Sequence, residues 1–394
     1  MDLLIVSHTP PYPLNSAGRA LLYHLSRVFA QKRYSLDLLY FYDAPEVLAS
    51  SPRYESYYRQ VQAFRQPPIS AKRLGAAQSF PDRAEKAGSK ELWELGQKWV
   101  QERNYLASLF IGGPEIYEYR ALRPGLPAAI LSPQLESLRL EALLEQKQPS
   151  RKQAKELKAA LAQAQAYEAW LYTKFQALGV ITQAAQAKLA ALYPDKNIEL
   201  LPMGIDADYY LPTGHEPRQP ALLFTADYSH PAALAAAKRL CERLYPPIKR
   251  AIPGLKLMIV GANPPPELQA LASESILVTG YVPDLRPYFE LASLFISPLS
   301  ASLGVSQDIL KAVSMLTPVV ATPASLDNLA AFEANLHLLV GESDDELIRH
   351  SIRLLREEQT RLNLSILARE ALLQHYSWEQ VALRYEAFVR GVAG

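Results

Sequence analysis

The sequence predicts two doubly wound α/β domains in tandem, and three observations carry that expectation. Short, continuous apolar runs, the mark of parallel strands buried on both faces, alternate with stretches of helical spacing. Residues 211–220 (Leu-Pro-Thr-Gly-His-Glu-Pro-Arg-Gln-Pro) interrupt the alternation with turn-forming residues. Beyond them the rhythm restarts. The expected division is therefore an N-terminal domain over 1–210, a second over 211–378, and a closing helix over 379–394 that returns to the first.

The first strand is Leu3 to Val6, stopped by Pro10, Pro11 and Pro13. Asn15 or Ser16 then caps a helix whose apolar face is Leu21, Leu22, Leu25, Val28 and Phe29. Leu36 to Phe41 is the next strand, which completes the β-loop-α-β unit from which such sheets are wound. Residues 45–105 are less regular, with Trp93 and Trp99 on a helix and a Tyr54, Tyr57, Tyr58 patch near the surface. That patch reads either as a half-buried helix face or as a contact for a membrane or an acceptor glycan. Ala107–Ile111, Ala128–Leu131, 178–182 and 198–201 are strands, and 136–178 is a solvent-facing helix pair with one core stripe. In the second half, strands fall at 221–225, 255–260, 276–279, 294–297, 319–321 and 337–340. Helices fall near 231–250, 284–292, 307–316, 326–334, 360–375 and 378–390, and Ser343 with Glu346 has capping-box spacing.

Composition narrows the function. With 394 residues, 49% hydrophobic and 21% charged, the chain has material for full cores without disulfides or a structural metal. Lys+Arg minus Asp+Glu is 41 − 40 = +1, which gives no overall pull toward nucleic acid. Cys241 is the single cysteine, so no disulfide framework or Cys-based zinc site is expected, and the seven histidines show no metal-ligand spacing. No Gly-x-Gly-x-x-Gly or Walker pattern supports a dinucleotide oxidoreductase or a nucleotide hydrolase. With no apolar run near the length of a membrane span and no signal-peptide pattern, the expected location is the cytoplasm, peripherally at the inner membrane face.

In doubly wound sheets, ligands sit beyond the carboxyl ends of the strands. The loops there read Pro10-Pro11-Tyr12-Pro13-Leu14-Asn15-Ser16-Ala17-Gly18-Arg19, Leu201-Pro202-Met203-Gly204-Ile205-Asp206, Phe224 to Pro231, Ile259 to Pro264, Gly280-Tyr281-Val282-Pro283-Asp284-Leu285, Pro318 to Pro323 and His375-Tyr376-Ser377-Trp378-Glu379. In this order they resemble glycosyltransferase family 4, with two Rossmann-like domains facing across a cleft in the GT-B arrangement, closest to bacterial sugar transferases of polysaccharide assembly. The resemblance implies an acceptor-side N-terminal domain and a C-terminal nucleotide-sugar domain. It implies transfer of a sugar from a nucleoside-diphosphate donor to a glycan or lipid-linked acceptor with retention at the anomeric carbon, and no metal or other cofactor.

The residues it points to are His8, Gly18 and Arg19 for catalysis, and Ala226, Asp227, Tyr281, Val282, Gly304, Val305, Asp308 and Lys311 for the donor. Gly18 and Gly304 stand at helix starts, where free N–H groups and the helix dipole favour a diphosphate. Tight turns and close packing are the competing explanation for Gly18, Gly261 and Gly280. Against the family pattern Gly-x-Gly-Ile-x-x-Lys-Ile-Leu-Glu, this chain has Asp308 where a lysine would face the diphosphate and Lys311 where a glutamate would hold the ribose. An acid about 4 Å from a phosphate costs roughly 4 kcal/mol at an effective dielectric of 20, unless Asp308 turns away or pairs with Lys311 one helical turn on. Ala226, Ala233 and Met203 also depart from the pattern, and Pro133 stands near an expected histidine. The alternative is therefore a catalytically degenerate relative that serves as binding or scaffold partner of an active transferase.

Overall fold

The structure, a computed structural model, describes residues 1–14, 16–66, 89–122, 125–132, 135–146, 150–214, 220–301 and 307–393. The chain divides by internal contacts into unit 1, Met1–Leu201 with Ala382–Gly394, and unit 2, Pro202–Val381.

Unit 1 runs β1 (Asp2–Ser7), α1 (Ala17–Gln31), β2 (Ser35–Tyr42), β3 (Gln60–Arg65), α2 (Lys90–Glu102), β4 (Ala107–Ile111), α3 (Pro114–Leu122), β5 (Ala128–Leu131), α4 (Glu136–Gln146), α5 (Arg151–Tyr172), β6 (Ala177–Val180), α6 (Gln183–Leu192) and β7 (Asn197–Leu200). The strands are all parallel, in the order β3-β2-β1-β4-β5-β6-β7. β1, β4 and β5 are buried along nearly their whole length, which is why they read as unbroken apolar runs. β3, which the sequence left unassigned, is the edge strand and only half-buried. Ser16 caps α1, its hydroxyl accepting from the Arg19 N–H at 3.4 Å, and Ser150 with Gln153 forms a complete capping box on α5. The 136–178 stretch is the expected helix pair, α4 packed on α5.

At the amino end of this sheet lies a buried ionic cluster. The Asp37 carboxylate is fully buried on β2 and accepts from Arg59 Nη2 (2.6 Å) and Nε (3.1 Å), Arg103 Nη1 (2.7 Å) and Tyr105 Oη (2.5 Å). Burial pushes its pKa up. The Arg59 and Tyr105 bonds and both guanidinium charges more than offset this and hold it below the usual carboxylate range. Tyr105 in turn is pushed up to about 12. This is a structural device at the end of the sheet away from the ligand loops.

Unit 2 runs β8 (Ala221–Thr225), α7 (Pro231–Arg239), a π-helical turn at Leu240–Leu244, α8 (Tyr245–Ala251), β9 (Lys256–Val260), α9 (Pro266–Gln269), β10 (Ile276–Val278), α10 (Arg286–Leu291), β11 (Leu294–Ser297), α11 (Gln307–Ser314), β12 (Val319–Ala321), β13 (Leu339–Val340), α12 (Asp344–Arg356) and α13 (Glu358–His375). Its parallel order is β10-β9-β8-β11-β12-β13. Each face of this sheet has its own core. One is built on Leu223, Phe289, Phe295, Leu310 and Val313, the other on Phe224, Leu240, Ile248, Leu257 and Leu347.

The helix expected over 326–334 is not formed. A 3₁₀ turn spans Pro323–Leu326, and Asn328 and Asn335 adopt left-handed φ of 66° and 65°, which breaks helical propagation. Ser343 caps α12 as the spacing implied, while the Glu346 carboxylate reaches back to the Glu342 N–H rather than to the cap's own. The last helix, α14 (Trp378–Ala393), starts among unit 2 residues and from Ala382 onward counts with unit 1, where Glu386 accepts from Lys32 Nζ and Tyr34 Oη, both at 3.1 Å.

Candidate functional site

In unit 2 the chain leaves the sheet in opposite directions from β8 and from its neighbour β11, which makes their carboxyl ends a topological switch point. The loop after β8 holds Ala226 to His230, and α11 rises beside it with Ile309, Leu310, Ala312 and Val313 sunk in the core. That packing fixes the outward face of α11, where Lys311 Nζ donates to Asp308 Oδ1 at 2.7 Å and both side chains are mostly covered. The two charges therefore neutralise each other on one helix face. Burial works against the Lys311 charge, but Asp308 and the Tyr210 hydroxyl carry its pKa above the ordinary lysine value. Tyr210, pushed up chiefly by its own burial, feels Lys311, Asp308, Tyr209 and Asp284, and the buried Tyr228 under the β8 loop also feels Asp308.

Other expected donor residues have defined tasks. Asp227 Oδ1 accepts from the Ser229 N–H and from Asn263 Nδ2, both at 3.0 Å, which ties the β8 loop to the β9 loop. Burial raises the Asp227 pKa, but these bonds outweigh it, so Asp227 is an anion engaged in loop structure rather than a free base. The Ala226 carbonyl occupies the space where a Gly261 side chain would begin, and Gly261 has φ +147°. Close packing therefore explains Gly261. It does not explain Gly18 or Gly280, where a Cβ would meet nothing within 4 Å. Tyr281 is 75% exposed and Val282 packs on the core beneath it. Arg286 lies over the Tyr209 ring at 4.0 Å and is held by Asp284. Gly304 and Val305 lie outside the described residues.

Two polar atoms that sequence reasoning missed lie on the elements that flank this switch point. Thr225 Oγ1, at the end of β8, and Gln307 Nε2, at the start of α11, are buried without a hydrogen-bond partner. Buried donors are nearly always satisfied, so two orphans at a switch point mark where a ligand's polar atoms would fit. A strand-terminal threonine was the available sequence signal. For Tyr210 there was none. A separate cavity of about 870 Å³ at the ends of β11 to β13 contains none of the expected residues. Its Arg239 and Arg243 both pair with Asp344 at 2.6 Å.

In unit 1 the equivalent switch point lies between β1 and β4. His8 follows β1 directly. Its N–H donates to the Ile111 carbonyl at 3.0 Å, its Nε2 is 2.8 Å from Gln66 Nε2, and Gly112 leaves the room its Cβ needs. Gly18 and Arg19 occupy the first turn of α1, with open space over Gly18 and no bond from the Arg19 guanidinium to any described residue. Of the two readings of the Tyr54, Tyr57, Tyr58 patch, burial favours the half-buried face, carried on 3₁₀ turns rather than a helix, over an open contact surface. Tyr54 and Tyr58 are buried, with hydroxyls satisfied by Tyr40 (2.9 Å) and Ser26 (2.7 Å), and Tyr57 alone stays partly open.

Residues 219–357 match the family described as glycosyl transferases group 1. No curated protein sequence matches the chain. Among solved structures, sucrose-phosphate synthase from Thermosynechococcus elongatus is similar at TM-score 0.67 and 15% identity, covering 99% of this chain and 98% of that one. HepE of Anabaena, solved with UDP and glucose, gives TM-score 0.67 at 13% identity with 99% of both chains covered. WaaG, a glycosyltransferase of lipopolysaccharide biosynthesis, gives 0.61 at 14%, covering 99% and 100%. At these identities the likeness is one of fold, two Rossmann-like parallel α/β units as in GT-B glycosyltransferases. The family match over 219–357 supports a transferase.

Proposed function

We propose that this protein transfers a sugar from a nucleoside-diphosphate donor to a glycan or lipid-linked acceptor. The observation that carries the reading is the family match over 219–357, laid on the unit whose β8 and α11 ends hold the orphaned Thr225 and Gln307 atoms. HepE was solved with UDP-glucose and with UDP, and TarM with UDP and α-GlcNAc-glycerol, which favours a nucleotide-sugar donor for this chain too. In the reaction the acceptor hydroxyl oxygen bonds to the anomeric carbon as the bond from that carbon to the diphosphate oxygen breaks. The hydroxyl proton ends on the released diphosphate. We assign the anion-stabilising work to the α1 amino terminus at Gly18 and to Arg19, with donor contacts from Tyr281, Val282 and Lys311, retention at the anomeric carbon, and no metal.

The Asp308–Lys311 ion pair favours one second reading, a degenerate partner of an active transferase. A helix that has already paired its own charges offers neither a free cation for phosphate nor a free carboxylate for ribose. Melting curves of the purified protein with UDP-, GDP-, ADP- and dTDP-sugars at about 1 mM separate the two. Ligand at a hundred times its Kd stabilises by roughly 2.7 kcal/mol, so one nucleotide class raises the Tm if the transferase reading holds, and none does if it fails. The Asp308→Lys, Lys311→Glu exchange should then tighten donor binding at least tenfold. Loss of an existing activity on exchange would show instead that the native polarity is a working one.

Gly18→Ala gives an independent check. A methyl there meets no protein atom, and alanine is the better helix former by about 0.5–1 kcal/mol. The Tm should hold or rise while donor affinity falls about tenfold, the equivalent of 1.4 kcal/mol. Unchanged affinity in titration calorimetry would remove Gly18 from the site.

A further inference from the structure

The long helix α5 carries an exposed face that the donor reading does not use. Its inner side is fixed in unit 1. Leu171 and Tyr172 are buried, and the buried Glu168 carboxylate accepts from the Ser137 N–H (3.0 Å) and hydroxyl (2.6 Å) at the start of α4. The opposite side is thereby held outward. Arg151, Lys155, Lys158, Ala162, Ala166 and Ala169 follow one another at three- and four-residue steps, so they line a single helix face, and all six are exposed. Lys152, also exposed, flanks the first turn.

The charges on this face run against helix stability. Residues 151–158 hold four cations and one anion, net +3, in a chain whose total is +1. They occupy the first two turns, where the helix dipole disfavours positive charge. None of the four side chains forms an ion pair with a described residue. On α2, by contrast, Lys90 and Lys98 are matched by Glu94 and Glu102 one turn on, at 3.6 and 3.8 Å. A cation cluster that its own helix opposes and no neighbouring acid balances takes its counter-charge from outside the chain.

We propose that this face of α5 docks on an anionic lipid surface. Charge selects the sign of the partner, since each Lys or Arg close to a negative leaflet strengthens partitioning about fivefold. The rest of the face selects lipid. Beyond the basic turns the same line continues as Ala162, Ala166 and Ala169, small apolar side chains that let the helix lie flat against the boundary between headgroups and acyl chains. A nucleic-acid strand laid along the face needs donors for its phosphates or rings for its bases, and the alanine positions supply neither. The proposal does not depend on the transferase reading.

The test is sedimentation of the full chain with vesicles of phosphatidylcholine alone and of phosphatidylcholine mixed with phosphatidylglycerol. The chain should bind the mixed vesicles and not the neutral ones, and should come off as NaCl rises from about 0.1 M to 1 M, where the screening length falls to about 3 Å. Arg151→Gln, Lys155→Gln and Lys158→Gln should each weaken binding about fivefold, and together about a hundredfold. Removing cations from the amino end of a helix relieves the clash with its dipole, so the triple variant should melt at or above the wild-type Tm. Lys155→Arg with Lys158→Arg keeps the charge and should keep the binding. Equal binding to both vesicle types, no binding to the mixed ones, or binding that survives the triple variant would overturn the proposal. Preference for single-stranded RNA over mixed vesicles in direct competition would overturn it too, in favour of nucleic acid. UDP melting curves on the same preparation are read in parallel. Vesicle binding without a UDP shift keeps the docking face and removes the transferase reading, and the converse removes the docking face alone.

Discussion

Alanine at position 37 is expected to destabilise unit 1 by about 3–5 kcal/mol, the cost of breaking a buried ion pair from one side. The carboxylate it removes is the shared acceptor for Arg59, Arg103 and Tyr105. Arg103 would then face the amino sheet end with its charge uncompensated, while Arg59 would keep only its ion pair with Asp2 at 2.6 Å. Trp99 reports the change, because Arg103 lies over its ring at 5.2 Å, so urea unfolding followed by tryptophan fluorescence should show a lower midpoint. The same cluster sets an acid limit. A carboxyl whose folded pKa lies below its unfolded value, about 3.9 for aspartate, contributes its full stabilisation above that value and loses it as pH falls through the folded one. The wild type should therefore lose stability below about pH 4 more steeply than Asp37→Asn. Coincident midpoints for wild type and Asp37→Ala would show that the cluster contributes nothing.

Gly261→Ala combines two penalties. Its φ of +147° is rarely adopted by any residue with a side chain, and the added Cβ would overlap the Ala226 carbonyl oxygen, which is backbone and cannot rotate away. A loss of about 3 kcal/mol or more is expected, read as a drop in the Tm of unit 2. The displaced segment is the β8 loop that carries Asp227, so nucleotide binding should fall with stability. Gly280→Ala, with open space around it, is the matched control and should leave the Tm nearly unchanged.

What the sequence made legible follows from burial. β1, β4, β5, β8 and β11 are covered on both faces, so each announces itself as an unbroken apolar run. β3 pairs on one side only and reads Gln-Val-Gln-Ala-Phe-Arg, an alternation diluted by the Tyr- and Arg-rich residues before it. The stretch 326–334 that was expected to be helical contains Asn328, which turns the chain through left-handed φ. At the candidate site, sequence identified Asp308 and Lys311 and their one-turn spacing, which a helix converts directly into contact. Tyr210 was illegible because it joins the pair through tertiary packing, from a segment nearly a hundred residues away. The Tyr54 and Tyr58 hydroxyls suggested a surface; their partners, Tyr40 and Ser26, come from β2 and α1 and could be known only once the sheet had been folded.

The split membership of α14 sets an order of events during synthesis. Unit 2 is continuous from Pro202 to Val381, so every strand of its sheet has been made by the time Val340 is joined. Unit 1 begins at Met1 yet waits for Glu386, which ties Lys32 and Tyr34 together. The unit whose strands are synthesised before those of unit 2 is thus completed after them, and until then its α1 and the start of β2 stand without their final partner. A nascent chain in that condition exposes apolar surface for longer than its length alone would suggest, and a fragment ending at Leu201 would reproduce that unfinished state permanently.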